Sequence, residues 1–258
     1  MPADNHPTDK LTYPRGHRLV ITWVNRSCAI LRLSNTPDAL NQRWFCSAHW
    51  ADQGKTVGQS IGRGTTLFFR ENDVTYVLRH YCRGGFIRKF IQDSYLFTGI
   101  RRSRVYRELA LLSKLDAMLL PVGNPVSAML TRHGLSYRAS IITRAIPNSL
   151  NLLEILRQRE LANAEIVAIA KTLANFHRQG VDHADLNISN ILLDTDGQPF
   201  LVDFDRGRIK QPSQRWQQAN IKRLQRSFTK QKRLNPELPW TSDHWHLLMA
   251  TYADEMAG

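Results

Sequence analysis

"HADLNISNILLDTDGQPFLVDFDRG" (residues 183–207) sets two acids and an amide beside strongly apolar runs. Asp185, Asn190 and Asp203 lie next to the segments ILL and FLV, where acids without partners would be costly. A chain that needed only a core would not place them there. The stretch therefore predicts a buried hairpin that carries a polar site.

Asp196-Gly197 is a typical two-residue hairpin turn, so the flanking runs ILL and FLV are expected to pair as antiparallel strands. With these two residues at the centre of the turn, Leu193 pairs with Phe200 and Asn190 faces Asp203. Directly opposed residues have Cβ atoms about 4.5 to 5.5 Å apart. The pattern thus predicts that an amide oxygen and a carboxylate converge at the open end of the hairpin.

Oxygen ligands at this spacing suit Mg²⁺, which is bound by one or two carboxylates together with the phosphate oxygens of a substrate. Asp185, five residues before Asn190, adds a group that can accept a proton. The alternative is that Asp185 caps a loop, Asn190 occupies a turn and Asp203 begins a helix, each of which is common alone. Their joint spacing favours the metal site.

Composition allows one large domain or two packed lobes, because the chain has 258 residues of which 42% are hydrophobic. No apolar run approaches the roughly 20 residues that a membrane-spanning helix needs. The polar start MPADNHPTDK lacks the apolar stretch of a signal peptide. A cytoplasmic location is expected.

The net charge of +13 is concentrated in two segments. Residues 206–233 carry ten Lys or Arg and no acid, and residues 79–107 carry eight against one Asp. A face that only aids solubility usually mixes both signs. The segments indicate an anionic partner, which could be nucleic acid, anionic lipid or a phosphorylated substrate.

Apolar periodicity predicts strands in the first half of the chain and helices in the second. A helix is expected over residues 102–119, with four apolar residues at helical spacing: Val105, Leu109, Leu112 and Leu115. Further helices are expected at 149–160 and from Asn163, as N-cap, to Gly180.

This order of elements predicts an α+β fold in two lobes. Residues 1–15 are expected to be disordered, residues 16–146 to form a β-rich lobe, and residues 147–258 to form a mainly helical lobe.

The pattern His-x-Asp-Leu-x-x-x-x-Asn followed by Asp-Phe resembles the catalytic loop and metal-binding motif of the protein-kinase-like superfamily. The resemblance implies ATP as phosphoryl donor and Mg²⁺ as cofactor. It implies that Asp185 is the catalytic base and that Asn190 and Asp203 bind the metal.

Upstream segments can be assigned by the same resemblance. In GRGTTLFF (residues 62–69), Gly62 and Gly64 are expected to let the backbone approach the nucleotide, although Gly-x-Gly is more often only a turn. Arg79 occupies the position of the lysine that binds the nucleotide phosphates, and Glu108 is its expected ion-pair partner. Alternatively, Glu108 is an exposed helical acid beside neighbouring arginines.

Differences from the motifs of protein kinases narrow the class of kinase that the chain resembles. Ala184 and Asn187 replace the usual Arg and Lys, DFD replaces Asp-Phe-Gly, and a segment ending in Ala-Pro-Glu is absent. With GRGTTLFF, VLRHYCRGG, HADLNISNILLD and LVDFDRG in this order, the chain resembles the lipopolysaccharide kinases from about AHWADQGK (residues 48–55) to its end.

This family resemblance implies ATP-dependent phosphorylation of a 3-deoxy-D-manno-octulosonic acid (Kdo) hydroxyl on a lipid A precursor. It places the protein peripherally at the cytoplasmic face of a Gram-negative inner membrane. The expected partners are the Kdo-bearing lipid A precursor and an anionic membrane surface, with no nucleic acid.

Three alternatives stay open. A small-molecule kinase of the aminoglycoside or choline type shares the catalytic constellation, but it tends to line its acceptor site with acids. A nucleic-acid-binding protein would suit the charge, yet no nucleic-acid motif is present. A catalytically dead kinase-like module is disfavoured by the intact Asp185, Asn190 and Asp203.

Overall fold

The computed structural model describes residues 10–11, 18–61, 65–81 and 95–258. The chain forms two compact units. The first comprises Met1–Met118 and Asn124–Ala145, and the second comprises Leu119–Gly123 and Ile146–Gly258. The short segment Leu119–Gly123 thus belongs to the second unit, because Val122 makes a β-bridge with Leu201.

The described part of the first unit forms an antiparallel sheet of nine strands. The strands are β1 (Lys10–Leu11), β2 (Leu19–Asn25), β3 (Cys28–Arg32), β4 (Thr56–Ile61), β5 (Thr65–Glu71), β6 (Val74–His80), β7 (Tyr95–Leu96), β8 (Pro125–His133) and β9 (Ser136–Arg144). Their order is β1-β2-β3-β8-β9-β6-β5-β4, and β7 pairs with β9. Within the segment 1–15 that was expected to be disordered, Lys10 pairs with Val20 and Leu11 with Leu19. Residues 1–9 and 12–15 of that segment lie outside the described residues.

The β5–β6 hairpin is closed by Asn72 and Asp73, whose φ angles are 47° and 59°. Two central residues at positive φ match the right-handed twist of the flanking strands, and Asn and Asp tolerate this conformation better than most residues. The turn sets the register in which Arg79 pairs with Thr66.

An aromatic cluster forms the core on one side of this hairpin. Trp50 stacks on Phe69 with ring centroids 4.0 Å apart, and Trp44 contacts both rings edge-on at 5.3 and 5.8 Å. Tyr76 also stacks on Phe69, with ring centroids 5.3 Å apart. All four side chains are buried, so their apolar area and their ring geometry both stabilise the sheet.

Two helices complete the first unit, α1 (Ser47–Asp52) and α2 (Arg104–Ala117). The predicted helix over 102–119 is confirmed, and its four apolar positions are buried against the unit. The Ser103 hydroxyl caps α2 by accepting a hydrogen bond from the Tyr106 amide at 3.3 Å. Glu108 lies on the same buried side.

The second unit is mainly helical and carries three short β pairings. Its helices are α3 (Leu152–Leu156), α4 (Asn163–Arg178), α5 (Gln214–Leu234) and α6 (Ser242–Ala257). Its strands are β10 (Leu150–Asn151), β11 (Val181–Asp182), β12 (Ile191–Leu193), β13 (Pro199–Leu201) and β14 (Arg208–Ile209). The α+β class and the division into a sheet-rich and a helical part are confirmed.

Two helix predictions in this unit were wrong. The helix expected over 149–160 is limited to α3, because the residues before it form β10 and pair with β12. Asn163 is the first residue of α4 and not its N-cap; Ala162 is at the cap. The Glu165 carboxylate accepts a hydrogen bond from the Ala162 amide at 2.8 Å and does the capping instead.

The register of the β12–β13 hairpin differs by one residue from the prediction. Leu193 pairs with Pro199 and Ile191 with Leu201, and the Asp194 amide donates to the Gln198 carbonyl at 3.2 Å, so the loop has three residues, 195–197. The Asp194 carboxylate accepts hydrogen bonds from the amides of Asp196 and Gln198, at 3.0 and 2.9 Å, which draws the chain into the longer turn.

The left-handed conformation in this loop falls on Gly197 alone, with φ 74°. A three-residue loop that ends in such a glycine is a common hairpin closure. As a result Asn190 lies opposite Val202, whose amide donates to the Asn190 carbonyl at 3.0 Å. The predicted pairing of Asn190 with Asp203 is wrong.

A buried histidine–tyrosine pair joins α4 to α6. The ring Nδ1 of His177 and the Tyr252 hydroxyl are hydrogen-bonded at 2.6 Å. Burial lowers the pKa of His177 to about 4 and raises the pKa of Tyr252 to about 12, so both are neutral near pH 7.

Gly180 connects α4 to β11 in a conformation that a side chain cannot adopt easily. Its φ is 76°, and a Cβ atom there would overlap the carbonyl oxygen of Lys210. That close approach exists because the Lys210 amide donates to the Gly180 carbonyl at 2.8 Å, next to the β11–β14 pairing.

Gly180→Ala should therefore destabilise the protein by more than the roughly 1 to 2 kcal/mol expected from the left-handed backbone alone. Gly197→Ala is the matched control, because its φ of 74° is similar but its Cβ would make only an ordinary contact, 3.7 Å from the Glu165 side chain. Urea unfolding of both variants measures the difference. Equal losses of stability would show that the approach of Lys210 is not a constraint.

Candidate active site

The loop that follows β11 carries Asp185 in a strained backbone. Ala184 has a φ of 58°, and the Asp185 amide donates to the His183 carbonyl at 2.8 Å, which closes a tight turn around Ala184. This conformation is unfavourable for a residue with a side chain, and such strain concentrates at functional sites. The Asp185 side chain is 37% exposed and can be reached from solvent.

The Asp182 carboxylate holds this loop from inside the unit. Its Oδ1 accepts hydrogen bonds from the Ala184 amide at 3.1 Å and from the Asn220 side-chain amide at 2.8 Å. Its Oδ2 accepts from Lys210 at 2.5 Å. Burial alone would raise the pKa of Asp182, but the hydrogen bonds from Lys210 and Asn220 outweigh it and the pKa lies below its usual value.

His183 is a buried neighbour of both acids of the motif. Its Nε2 donates to the Val202 carbonyl at 2.9 Å, and its ring packs on Phe204 with centroids 4.5 Å apart. Burial lowers the pKa of His183, whereas the charges of Asp203 and Asp185 raise it. The charges of the two carboxylates therefore offset part of the effect of burial on the pKa of His183.

Two asparagines fix the backbone at Asp185. The side-chain amides of Asn187 and Asn190 both donate to the Asp185 carbonyl, at 2.9 and 3.1 Å. Asn187 also accepts from the Ser189 amide at 2.9 Å. Because Asn190 uses its nitrogen in this way, its side-chain oxygen is left as an acceptor that can bind a cation.

Helix α5 supplies three residues of the site that sequence analysis missed. Asn220, Arg223 and Ser227 are spaced by three and four residues, so they lie on one face of the helix. The Ser227 hydroxyl accepts from the Ile188 amide at 2.9 Å, and the Asn220 oxygen accepts from the Ala184 amide at 3.1 Å. The same spacing was readable in the sequence, but nothing local indicated that its partner was the loop.

Arg223 makes an ion pair with Asp185. Its Nη2 and Nε lie 2.8 and 3.0 Å from the same carboxylate oxygen, Oδ1. Sequence analysis had grouped Arg223 with the basic segment 206–233, for which an anionic partner was expected. The structure instead pairs its guanidinium with Asp185 in the loop.

The residues of the second unit fit a hard divalent cation such as Mg²⁺. Asn190 and Asp203 do not pair across the hairpin, but both lie at its open end, since Asp203 directly follows the residue opposite Asn190. The donor set is an amide oxygen and a carboxylate, which match the ligands that Mg²⁺ prefers. Asp203 has a φ of 67°, a second strained non-glycine residue next to the motif.

The first unit contains the Arg79–Glu108 ion pair that the sequence suggested. Glu108 is buried, and its second carboxylate oxygen accepts a hydrogen bond from the Tyr81 hydroxyl. The Arg79 guanidinium also lies 5.3 Å from the centre of the Tyr81 ring. The reading of Glu108 as an exposed helical acid is wrong. Gly62 and Gly64 lie outside the described residues.

The α+β fold, with the His-Ala-Asp loop and the Asp-Phe segment at the end of a hairpin, defines a kinase-like phosphotransferase. A family model described as the lipopolysaccharide kinase (Kdo/WaaP) family matches residues 47–252. The chain belongs to this family.

Relatives of known name support the assignment. The chain is 38% identical over 208 residues to a 3-deoxy-D-manno-octulosonic acid kinase of Photobacterium profundum. The aligned region covers 81% of this chain and 87% of the relative. The chain is 40% identical over 194 residues to a protein of the same name from Stenotrophomonas maltophilia, covering 72% and 74%. A Vibrio cholerae protein of that name is 38% identical over 182 residues, covering 70% and 77%.

Asp203→Asn should weaken Mg²⁺-dependent nucleotide binding by at least about tenfold, since even changes next to a metal ligand cost about 10- to 100-fold in affinity. Asparagine is chosen because it tolerates the positive φ of Asp203 and removes only the charge. Nucleotide titrations at varied Mg²⁺ concentration measure the effect.

The control for this experiment is Asp196→Asn, at the exposed tip of the same hairpin. Asp194 is unsuitable, because its carboxylate caps the turn. Equal effects of the changes at 203 and 196 would rule out a specific metal ligand at Asp203.

Proposed function

We propose that this protein transfers the γ-phosphoryl group of ATP to a hydroxyl of a Kdo sugar on a lipid A precursor, in the biosynthesis of the lipopolysaccharide inner core. The observation that carries the proposal is the accessible Asp185 carboxylate, held in place by Arg223 and by a loop whose backbone is bonded at several points. The family match and the names of the relatives supply the acceptor.

The geometry supports Asp185 as the general base. Arg223 occupies Oδ1, so the second oxygen, Oδ2, is the one that can accept the proton of the acceptor hydroxyl. Accepting that proton makes the hydroxyl oxygen a better nucleophile towards the phosphoryl group. General-base assistance of this kind contributes about 10²- to 10⁴-fold in rate.

Asn190 and Asp203 are proposed to hold Mg²⁺, which when bound neutralises charge on the nucleotide phosphates. Asn190 is already fixed by its bond to the Asp185 carbonyl, so the metal ligand and the base share one rigid loop. Arg79 is proposed to bind nucleotide phosphate, with Glu108 and Tyr81 fixing its direction. Arginine keeps the charge of the usual lysine and offers a broader set of donors.

The outer face of α5 is proposed to dock the protein peripherally on an anionic membrane at the cytoplasmic side. Four exposed basic residues form one stripe: Arg215, Lys222, Arg226 and Arg233. The helical period aligns them over about 27 Å, opposite the buried Ile221, Leu224 and Phe228. Within the described residues, no helix is long and apolar enough to cross a bilayer.

This stripe favours an anionic acceptor over the cationic acceptors of aminoglycoside- or choline-type kinases. A Kdo-bearing lipid A precursor carries carboxylate and phosphate groups, and it resides in an anionic bilayer. Each Lys or Arg near such a surface contributes about 1 kcal/mol.

Asp185→Asn should lower the rate of transfer to the Kdo-bearing acceptor by about 10²- to 10⁴-fold while leaving folding and ATP binding nearly intact. The measurement is mass spectrometry of the acceptor after incubation with protein, ATP and Mg²⁺, with the phosphorylated product quantified over time. Transfer by the variant at the wild-type rate would exclude Asp185 as the base. If the wild-type protein adds no phosphate to this acceptor, the proposed substrate is wrong.

Replacing the four stripe residues with glutamine should weaken binding to anionic vesicles by about a hundredfold or more at low salt, since about 1 kcal/mol is lost at each position. The apparent KM for the lipid acceptor should rise as well. Vesicle co-sedimentation and acceptor kinetics, with nucleic acid as competitor, measure both effects. Added salt should imitate the variant, because exposed charges are screened over about 8 Å at physiological ionic strength.

A charge-matched control for this experiment is available in the first unit. Replacing four exposed basic residues there with glutamine removes the same charge from scattered positions: Arg26, Arg70, Lys114 and Arg138. The docking proposal requires the stripe variant to lose much more binding than this control. Equal losses would mean that only total charge matters.

A further inference from the structure

We propose that Arg223 is a positioning residue of the phosphoryl transfer: it holds Oδ1 of Asp185 so that Oδ2 is presented to the acceptor hydroxyl. This inference rests on the proposed function of the same site. It gives a role in catalysis to Arg223, which lies 38 residues after Asp185 in the sequence.

Arg223 holds one oxygen of the Asp185 carboxylate with two donors. Nη2 and Nε of Arg223 lie 2.8 and 3.0 Å from Oδ1, and Asp185 is the acid with which Arg223 pairs in the described parts of the chain. Two donors on a single oxygen restrict the rotation of the carboxylate. The other oxygen of Asp185, Oδ2, is not restrained by Arg223 and is left to accept the proton of the substrate hydroxyl.

The rest of α5 keeps Arg223 in place. Asn220, one turn earlier, is buried and bonded to Asp182 and to the Ala184 amide. Ser227, one turn later, is bonded to the Ile188 amide. Because contacts on both sides of Arg223 fix the helix to the loop, the guanidinium has a defined position relative to Asp185.

The loop itself offers no cation for this purpose. Ala184 and Asn187 flank Asp185 at positions where protein kinases usually have Arg and Lys. Asn187 instead bonds to the Asp185 backbone carbonyl. The positive charge beside the carboxylate is therefore supplied from α5.

The transfer step balances with Arg223 unchanged. The acceptor O–H bond breaks and its proton passes to Oδ2 of Asp185, while the acceptor oxygen forms a bond to the γ-phosphorus of ATP. The bond from that phosphorus to the bridging oxygen breaks, and its electron pair leaves with ADP. Arg223 stabilises the carboxylate before the step and keeps its orientation during it.

Arg223→Gln should lower kcat about ten- to a hundredfold with the KM for ATP unchanged, since misplacement of a catalytic group by about 1 Å can cost about 10²-fold. Arg223→Lys should restore part of the rate, because it keeps the charge but loses the two-donor geometry. The assay uses a detergent-dispersed Kdo-bearing acceptor, so that vesicle binding does not contribute. Thermal unfolding of each variant checks its stability.

The matched control is Lys230→Gln, an exposed residue two turns further along the same face of α5. It removes the same charge without touching Asp185, so kcat should stay at the wild-type value. A double variant provides a second readout: adding Arg223→Gln to Asp185→Asn should cause no further loss, since residues that act through one another are not additive.

Three results would overturn the inference: a kcat for Arg223→Gln equal to that of Lys230→Gln, a kcat above wild type, or an additive loss in the double variant. A kcat above wild type would mean that Arg223 makes Asp185 less effective as a base instead of supporting it. If wild-type protein does not phosphorylate the Kdo acceptor, the proposed function fails separately. The same variants are then compared by ATP hydrolysis, in which water provides the hydroxyl, and the same order of rates is required.

Discussion

The buried carboxylate of Asp182 joins three parts of the second unit that are distant in sequence. It accepts hydrogen bonds from Lys210 in the segment after the hairpin, from Asn220 on α5, and from the Ala184 amide within the catalytic loop. An unpaired carboxylate at this depth would be strongly destabilising, so these partners must assemble together. The strained turn at Ala184 is maintained by the same bonds, and the direction of Asp185 follows from that turn.

Sequence patterns were sufficient where the determinants are local. The apolar period of α2 could be inferred from its own segment, whereas the roles of the Asp185 motif and the Arg79–Glu108 pair were implied by the family resemblance. The structure shows Glu108 buried and bonded to both Arg79 and Tyr81. The register of the β12–β13 hairpin could not be inferred from the sequence, because one Asp side chain decides between a two-residue and a three-residue loop. Asp194 bonds to two amides and selects the longer loop, which shifts every pair by one residue.

The contacts of α5 were also beyond sequence analysis, for a different reason. The basic residues of this helix look alike in the sequence, yet four of them form the exposed stripe whereas Arg223 turns towards Asp185. Which side of the helix meets the loop depends on packing of Ile221, Leu224 and Phe228, and this packing is a property of the whole unit. Helix α5 thus presents a basic surface outward, and a different face of the same helix positions the catalytic loop.

The dependence of the catalytic loop on α5 determines when the loop can fold during synthesis of the chain. During synthesis, residues 182–188 emerge well before residues 220–227, so the loop lacks its partners until nearly the whole chain has been made. The sheet of the first unit, whose strands end at Arg144, has all its pairing residues much earlier. Premature termination before α5 would leave that sheet complete in sequence while the catalytic loop lacked its bonds to Asn220, Arg223 and Ser227, which restricts activity to chains that include α5.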